Sequence, residues 1–157
     1  MLETKEYSEI TVLDLVADSN VNRNTFYYHF KDLDGLIAEI ARRAMDTCLN
    51  ACKGDAAEKL NALLAYMANN KMKIMHVYSS DARKSFDREL ALLCEYLAIK
   101  LCTKYEETVS TEKNCRIMLL KSCLYGLASD WFETGMDEEH LSDISAVCTE
   151  LAKYIDS

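Results

Sequence analysis

No proline occurs anywhere in the 157 residues, and glycine occurs only 4 times. Chains built of strands punctuate them with these two residues. Here, instead, apolar residues recur at three- and four-residue spacing over long uninterrupted stretches, so the chain reads as all-α. Apolar residues make up 50% and charged residues 28%, enough for a real core. The length suits one domain, or a small head on a larger body. The N-terminal MLETKEYSEI is polar. No apolar run approaches the roughly 18 residues of a membrane span. Neither a signal peptide nor a membrane partner is expected, and the chain reads as cytoplasmic.

The 7 cysteines (Cys48, Cys52, Cys94, Cys102, Cys115, Cys123 and Cys148) form no CxxC pair. An odd number without a signal peptide argues against a disulfide framework. Cys48 and Cys52 sit one helical turn apart, the spacing of a shared metal or a disulfide sensor, but no His or further Cys lies near them. The expectation for the set is small, buried apolar side chains.

Helix boundaries follow from caps. Thr11 opens a short helical stretch with Val12 and Leu15 inward, and Ser19 to Val21 breaks it. A second short stretch runs from about Asn22 to Phe30. Asp32 N-caps a long amphipathic helix carrying Leu33, Leu36, Ile37, Ile40, Ala44 and Cys48 on one stripe. Gly54-Asp55 ends it and caps the next helix. Asn69-Asn70 marks a break, Ser79-Ser80-Asp81 a loop. Further helices are expected from about Ala82 to Glu107 and from about Glu112 to Thr134, with a loop at Val109 to Thr111. The second of these is apolar on most faces and needs cover on several sides. Gly135 stops it, and Asp137 caps the last helix. There Leu141, Ile144, Cys148, Leu151 and Ile155 form a seam, with Val147 and Tyr154 as a flank.

The segment Thr11 to Leu36 carries the functional reading. Two short helices around a tight turn make a helix-turn-helix, whose second helix lies in the DNA major groove. The turn needs left-handed backbone, which Asn20 tolerates. Val21 is expected to tuck into the core, Asn22 to N-cap the second helix, and Phe26 and Phe30 to anchor its inner face. The outer face then shows Asn22, Arg23, Asn24, Thr25, Tyr27, Tyr28 and His29, with Lys31 just beyond. Arg suits guanine and Asn suits adenine, while Tyr, Thr, His and Lys suit phosphate oxygens. The net charge of -8 opposes this reading, because DNA affinity rests on cations. Between Asn22 and Lys31, however, the charged residues are Arg23 and Lys31, with no acid.

The same stretch resembles the TetR/AcrR family of transcriptional regulators at Thr11, Val12, Val21, Asn22, Thr25, Phe26, Tyr27, Tyr28, His29 and Phe30. YGLASDWFETGMDEE is similar to the penultimate-helix ending of many members. The resemblance implies a DNA-binding head over residues 1–45, with the start of a linking helix, and an effector-binding and dimerisation body over 46–157. It implies a homodimer on a palindromic double-stranded DNA operator, paired through the last two helices, with Leu124, Trp131, Leu141, Ile144, Val147, Cys148, Leu151 and Tyr154 at the interface. It also implies a small-molecule effector in the body, for which Tyr66, His76, Tyr78, Tyr125 and Trp131 are the candidate contacts. Repression is the expected direction.

Three departures stand out. Family members have a full helix before the position of Tyr7, where only MLETKE stands here, so the first helix reads as truncated. Leu33 stands where the family often has a Lys. The residues before Asn22 are acidic, with Glu3, Glu6, Glu9, Asp14 and Asp18 against Lys5, so non-specific DNA affinity should be modest. These departures motivate a rival: a helical dimeric co-regulator that binds a protein partner and not DNA. No Gly-rich phosphate loop, GxSxG or HExxH motif is present. Neither an enzyme nor a cofactor is expected.

Overall fold

The computed structural model describes residues 5–102 and 111–156. Among them stand a 3-10 turn at Tyr7–Glu9, eight α-helices and no strand. The helices are α1 (Val12–Asp18), α2 (Arg23–His29), α3 (Leu33–Ala51), α4 (Ala56–Asn69), α5 (Lys71–Tyr78), α6 (Arg83–Cys102), α7 (Thr111–Glu133) and α8 (Glu138–Asp156). No helix among the described residues is long and apolar enough to cross a membrane. The expected run of α6 from Thr103 to Glu107 and the expected loop at Val109 and Ser110 lie outside the described residues, and Thr111 already belongs to α7.

Local chemistry sets the ends. The Thr11 hydroxyl accepts from the Asp14 amide at 3.2 Å, and the Asp14 carboxylate accepts from the Thr11 amide at 2.9 Å. This reciprocal cap satisfies two helix-end donors. Asn22, Asp32, Asp55 and Asp137 cap α2, α3, α4 and α8, each accepting a backbone N–H at 2.8–2.9 Å. Asn20 has φ 52, the left-handed turn residue between α1 and α2. Asn70 separates α4 from α5, and its side-chain amide donates to the Tyr66 carbonyl at 2.9 Å. At the end of α7 both Gly135 (φ 70) and Met136 (φ 56) are left-handed. A non-glycine residue is uncommon there. Met136 is held by a hydrogen bond from its amide to the Trp131 carbonyl at 2.7 Å and by burial of its side chain.

The core lies where α4 packs along α8 and α6 along α7. Trp131 and Phe132 are its largest fully buried side chains. The Trp131 indole N–H donates to the Asp137 carbonyl at 2.9 Å, so its single polar atom is satisfied. Tyr78, Phe86 and Phe132 form a triangle of rings with centroids 5.2–5.5 Å apart. Burying an aromatic side chain of this kind is worth about 1.5–3 kcal/mol over leaving it in water. Tyr7, Ile10 and Phe26 are also buried, but outside this main cluster.

Two expectations about cover fail. Val21 is 41% exposed rather than tucked in, and Leu13 is exposed as well, because the three short N-terminal elements are too small to wrap both sides of the turn. Nor are the cysteines uniformly buried. Cys94, Cys102 and Cys148 are buried, Cys48 and Cys52 are half-buried, and Cys115 and Cys123 are exposed on α7. Met118 and Leu119 are exposed on the same helix, so one side of α7 has no cover from the described residues of its own chain.

Candidate functional site

The hydrogen bond from the Val21 amide to the Val16 carbonyl at 3.0 Å closes the turn between α1 and α2. Phe26 is buried and stacks against half-buried Phe30, with ring centroids 5.6 Å apart. This pair fixes which side of α2 faces inward. The consequence is that Asn22, Arg23, Asn24, Thr25, Tyr27, Tyr28, His29 and Lys31 are all exposed. Tyr28 is 84% exposed, far beyond what folding would reward for an aromatic side chain. Asn22 is constrained: its carbonyl oxygen accepts from the Asn24 amide at 2.8 Å, leaving only its NH2 to reach outward. The Arg23 guanidinium sits 5.5 Å from the centre of the Tyr27 ring, and Tyr28 and His29 meet edge to face at 5.0 Å. Both contacts pre-organise side chains that stay accessible.

Several acids around α2 are engaged within the fold. Glu6 and Glu9 cap the N-terminal turn reciprocally. The Thr11 hydrogen bonds hold the Asp14 carboxyl below the usual carboxylate range. Asp34, on the first turn of α3, accepts a hydrogen bond from the Tyr7 hydroxyl. Burial, then that bond, pushes the Tyr7 phenol well above its ordinary value. This clasp between residues 27 positions apart ties the N-terminal turn to α3. Nothing in the sequence signals it.

A second feature lies in the helical bundle: a cavity of about 270 Å3 to which α3, α4, α5, α6, α7 and α8 all contribute. Of the five residues expected as effector contacts, Tyr66 and Trp131 line it. His76, Tyr78 and Tyr125 do not. Tyr78 is instead consumed by the ring triangle, while His76 and Tyr125 are half-buried away from the lining. The residues missed were mostly apolar, among them Ile37 and Ile40 of α3, Leu63 and Leu64 of α4, and Leu97 of α6, together with polar Asn70 and Lys73. Their sequence signal was the apolar stripe itself, which does not distinguish a filled core from a hollow one. A smaller cavity of about 60 Å3 adjoins α3, and Ile37 and Ala41 line both.

The second half of α3 is held differently. Asp46 accepts from the Tyr96 hydroxyl of α6 at 2.7 Å and pairs with Arg42 at 3.2 Å and Lys100 at 3.5 Å. The Tyr96 hydrogen bond, followed by the two cations, holds the Asp46 carboxyl below its ordinary value. α3 thus runs from the capped end of α2, past two voids, to a polar anchor on α6.

The residues expected between subunits are divided. Leu124, Trp131, Ile144 and Cys148 are buried within their own chain and line the larger cavity, so they have no surface to offer a partner. Leu141 and Leu151 are half-buried against the core. The cause is that α8 lays its seam onto α4, where the Ser145 hydroxyl donates to Asn61 Oδ1 at 2.6 Å. What remains outward is the flank: Val147 (42% exposed) and Tyr154 (44%), with Met118 and Leu119 of α7. The Arg116 guanidinium lies 5.3 Å from the centre of the Tyr154 ring.

Comparison with known proteins gives three findings. Residues 54–153 match the family described as the C-terminal region of transcriptional regulators, of the TetR type. No curated protein matches the sequence. Among solved structures, a dihydroxyacetone kinase operon activator, DhaS, superposes with a TM-score of 0.63 over 98% of this chain and 88% of its own, at 18% identity. At that identity the likeness speaks for the fold.

Proposed function

Because this chain belongs to the TetR-type family of transcriptional regulators, and is a regulator rather than an enzyme, we propose that it binds a palindromic DNA operator as a homodimer and represses by occupying it until an effector enters its body. The observation that carries this reading is the exposed side of α2, where Arg23, Asn24, Tyr27, Tyr28 and His29 stand clear of the fold with no acid among them. Two copies of α2 entering successive major grooves need centres roughly 34–36 Å apart.

In this reading residues 1–45 read DNA and residues 46–157 sense the effector and dimerise. Coupling runs through α3. Its first half carries α2 and borders the two cavities, while its second half is anchored at Asp46. Filling the larger cavity displaces the first half against that anchor and re-aims α2. Subunits pair through the outward strip of Met118, Leu119, Val147 and Tyr154.

The test is an electrophoretic shift against DNA from the protein's own promoter. A bidentate arginine–guanine contact is worth about 1–3 kcal/mol, hence roughly 5- to 150-fold in affinity per half-site. Arg23→Ala and Tyr27→Ala should therefore lose the shifted band while keeping native helicity. If both variants shift as the parent does, the assigned surface is wrong. The net charge of -8 supports one rival, a co-regulator that binds a protein partner without DNA. No retention of promoter DNA by the parent at low salt, with a protein partner co-purifying, would favour it.

A further inference from the structure

The reading of the larger cavity as the effector site carries a further step, because the lining restricts what can enter. Among the described residues that line it, the polar side chains are few and lie together. Tyr66, Asn70 and Lys73 occupy one stripe at helical spacing, across the junction of α4 and α5. The indole N–H of Trp131 is already committed to the Asp137 carbonyl. The rest of the described wall is aliphatic, aromatic, thioether or thiol, and no acidic residue among the described ones lines it. Lys73 is its single charged group.

Size sets a second limit. An apolar void of about 150 Å3 holds a benzene ring. A cavity of about 270 Å3 has room for roughly two fused rings, or a chain of about ten carbons. A small polyol finds too few partners on such a wall, outside the one polar stripe, to replace its hydrogen bonds to water. A ligand charged at its buried end would face the full cost of desolvation. The polar stripe is reached by solvent: Tyr66 is 37% exposed and Lys73 is half-buried, whereas Trp131 is 1% exposed. An ammonium carries three donors, so a contact that Lys73 already makes leaves others for a ligand.

We propose that the effector is an amphipathic monocarboxylate, with an apolar body of about ten carbons enclosed by the helices and its carboxylate at the mouth against Lys73, Tyr66 and Asn70. The carboxylate keeps partial hydration there while pairing with the cation, and the body displaces no well-bonded water. Aliphatic and aromatic acids share this chemistry and are separated by the test.

Trp131 is the only tryptophan in the sequence and lines the cavity, so its emission reports occupancy. Purified protein without DNA is titrated with decanoate below its micelle concentration, with 2-naphthoate, and with decanol, following emission and, in parallel, calorimetric heat. The expected result is saturable binding of one decanoate or one 2-naphthoate per chain, at least about tenfold tighter than decanol. Lys73→Met should weaken the acid about tenfold and leave decanol within twofold; Lys73→Gln serves if the Met variant does not fold. Decanol binding as tightly as the acids, or acid binding untouched by either Lys73 variant, overturns the carboxylate assignment and leaves the effector site standing. Failure of all three probes overturns the cavity as effector site as well. Neither result bears on DNA binding by α2, which the electrophoretic shift tests separately.

Discussion

Tyr78→Phe should make this protein more stable, which is unusual because most substitutions cost stability. The Tyr78 side chain is 5% exposed, and its hydroxyl is buried with no partner at hydrogen-bonding geometry among the described residues. The Arg83 guanidinium lies over the ring, 4.3 Å from its centre, and its charge only partly offsets the burial that raises the Tyr78 phenol above its ordinary pKa. A buried hydroxyl without a partner costs about 1–3 kcal/mol in desolvation. Phenylalanine keeps the same ring, so the contacts to Phe86 at 5.4 Å and Phe132 at 5.5 Å survive. Some of the gain is offset, because the cation–π contact with Arg83 is half-exposed and loses a few tenths of a kcal/mol on a less electron-rich ring. The net is a stabilisation of about 1 kcal/mol, or roughly 2–4 °C in Tm for a chain of this size. Urea and thermal unfolding followed by circular dichroism measure it, with an unchanged urea slope as the sign that the unfolded state is unaltered. Tyr96→Phe is the matched control. Its hydroxyl does have a partner, Asp46 at 2.7 Å, so the same atom removed there should cost about 1 kcal/mol. A loss of stability in Tyr78→Phe comparable to that of the control would refute the reasoning, because the hydroxyl would then have to be bonded.

Two further outcomes are expected. Leu119→Lys sets an ammonium on the exposed apolar side of α7. It should raise the dimer dissociation constant at least about tenfold in sedimentation analysis without loss of helicity, and an unshifted dimer would mean that subunits pair elsewhere. The Asp137 carboxylate bound to its ring raises the His140 pKa above its ordinary 6.5, while the His140 backbone N–H, then the ring contact, lowers that of Asp137 below 3.8. A raised histidine stabilises fully below about 6.5 and loses that contribution as pH climbs through the folded value, whereas Asp137 loses its share as pH falls below about 3.8. The parent should therefore lose stability relative to His140→Gln between pH 6 and 9 in thermal unfolding, and a constant difference across that range would count against the pair.

What sequence could anticipate was what neighbouring residues decide. The caps at Thr11, Asn22, Asp32, Asp55 and Asp137 depend on atoms two or three positions away. The left-handed Asn20 and the inward Phe26 are equally local, and together they make the exposed side of α2 predictable from its spelling. The failures share a different cause. Tyr7 meets Asp34 across 27 positions, Tyr96 meets Asp46 across 50, and Ser145 meets Asn61 across 84. Periodicity marks an apolar stripe but not its partner. Hence the seam of α8 fits a second subunit as well as α4, and the interface that the family resemblance implies at Ile144 and Cys148 of α8, and at Leu124 and Trp131 of α7, falls on side chains buried in their own chain. Aromatic side chains drew attention as effector contacts, although the hollow is walled largely by leucine and isoleucine.

The uneven burial of the cysteines gives the chain a selective chemistry of its own. Burial pushes the Cys94 thiol up to about 12 and the Cys148 thiol up to about 11, so neither supplies thiolate at neutral pH, although both border the cavity. Cys115 and Cys123, on α7 to either side of Met118 and Leu119, stand in water. A maleimide or a spin label will therefore attach first to the strip where subunits are proposed to meet, without any engineered substitution. The rate of that alkylation is a direct clock of how often the two copies come apart.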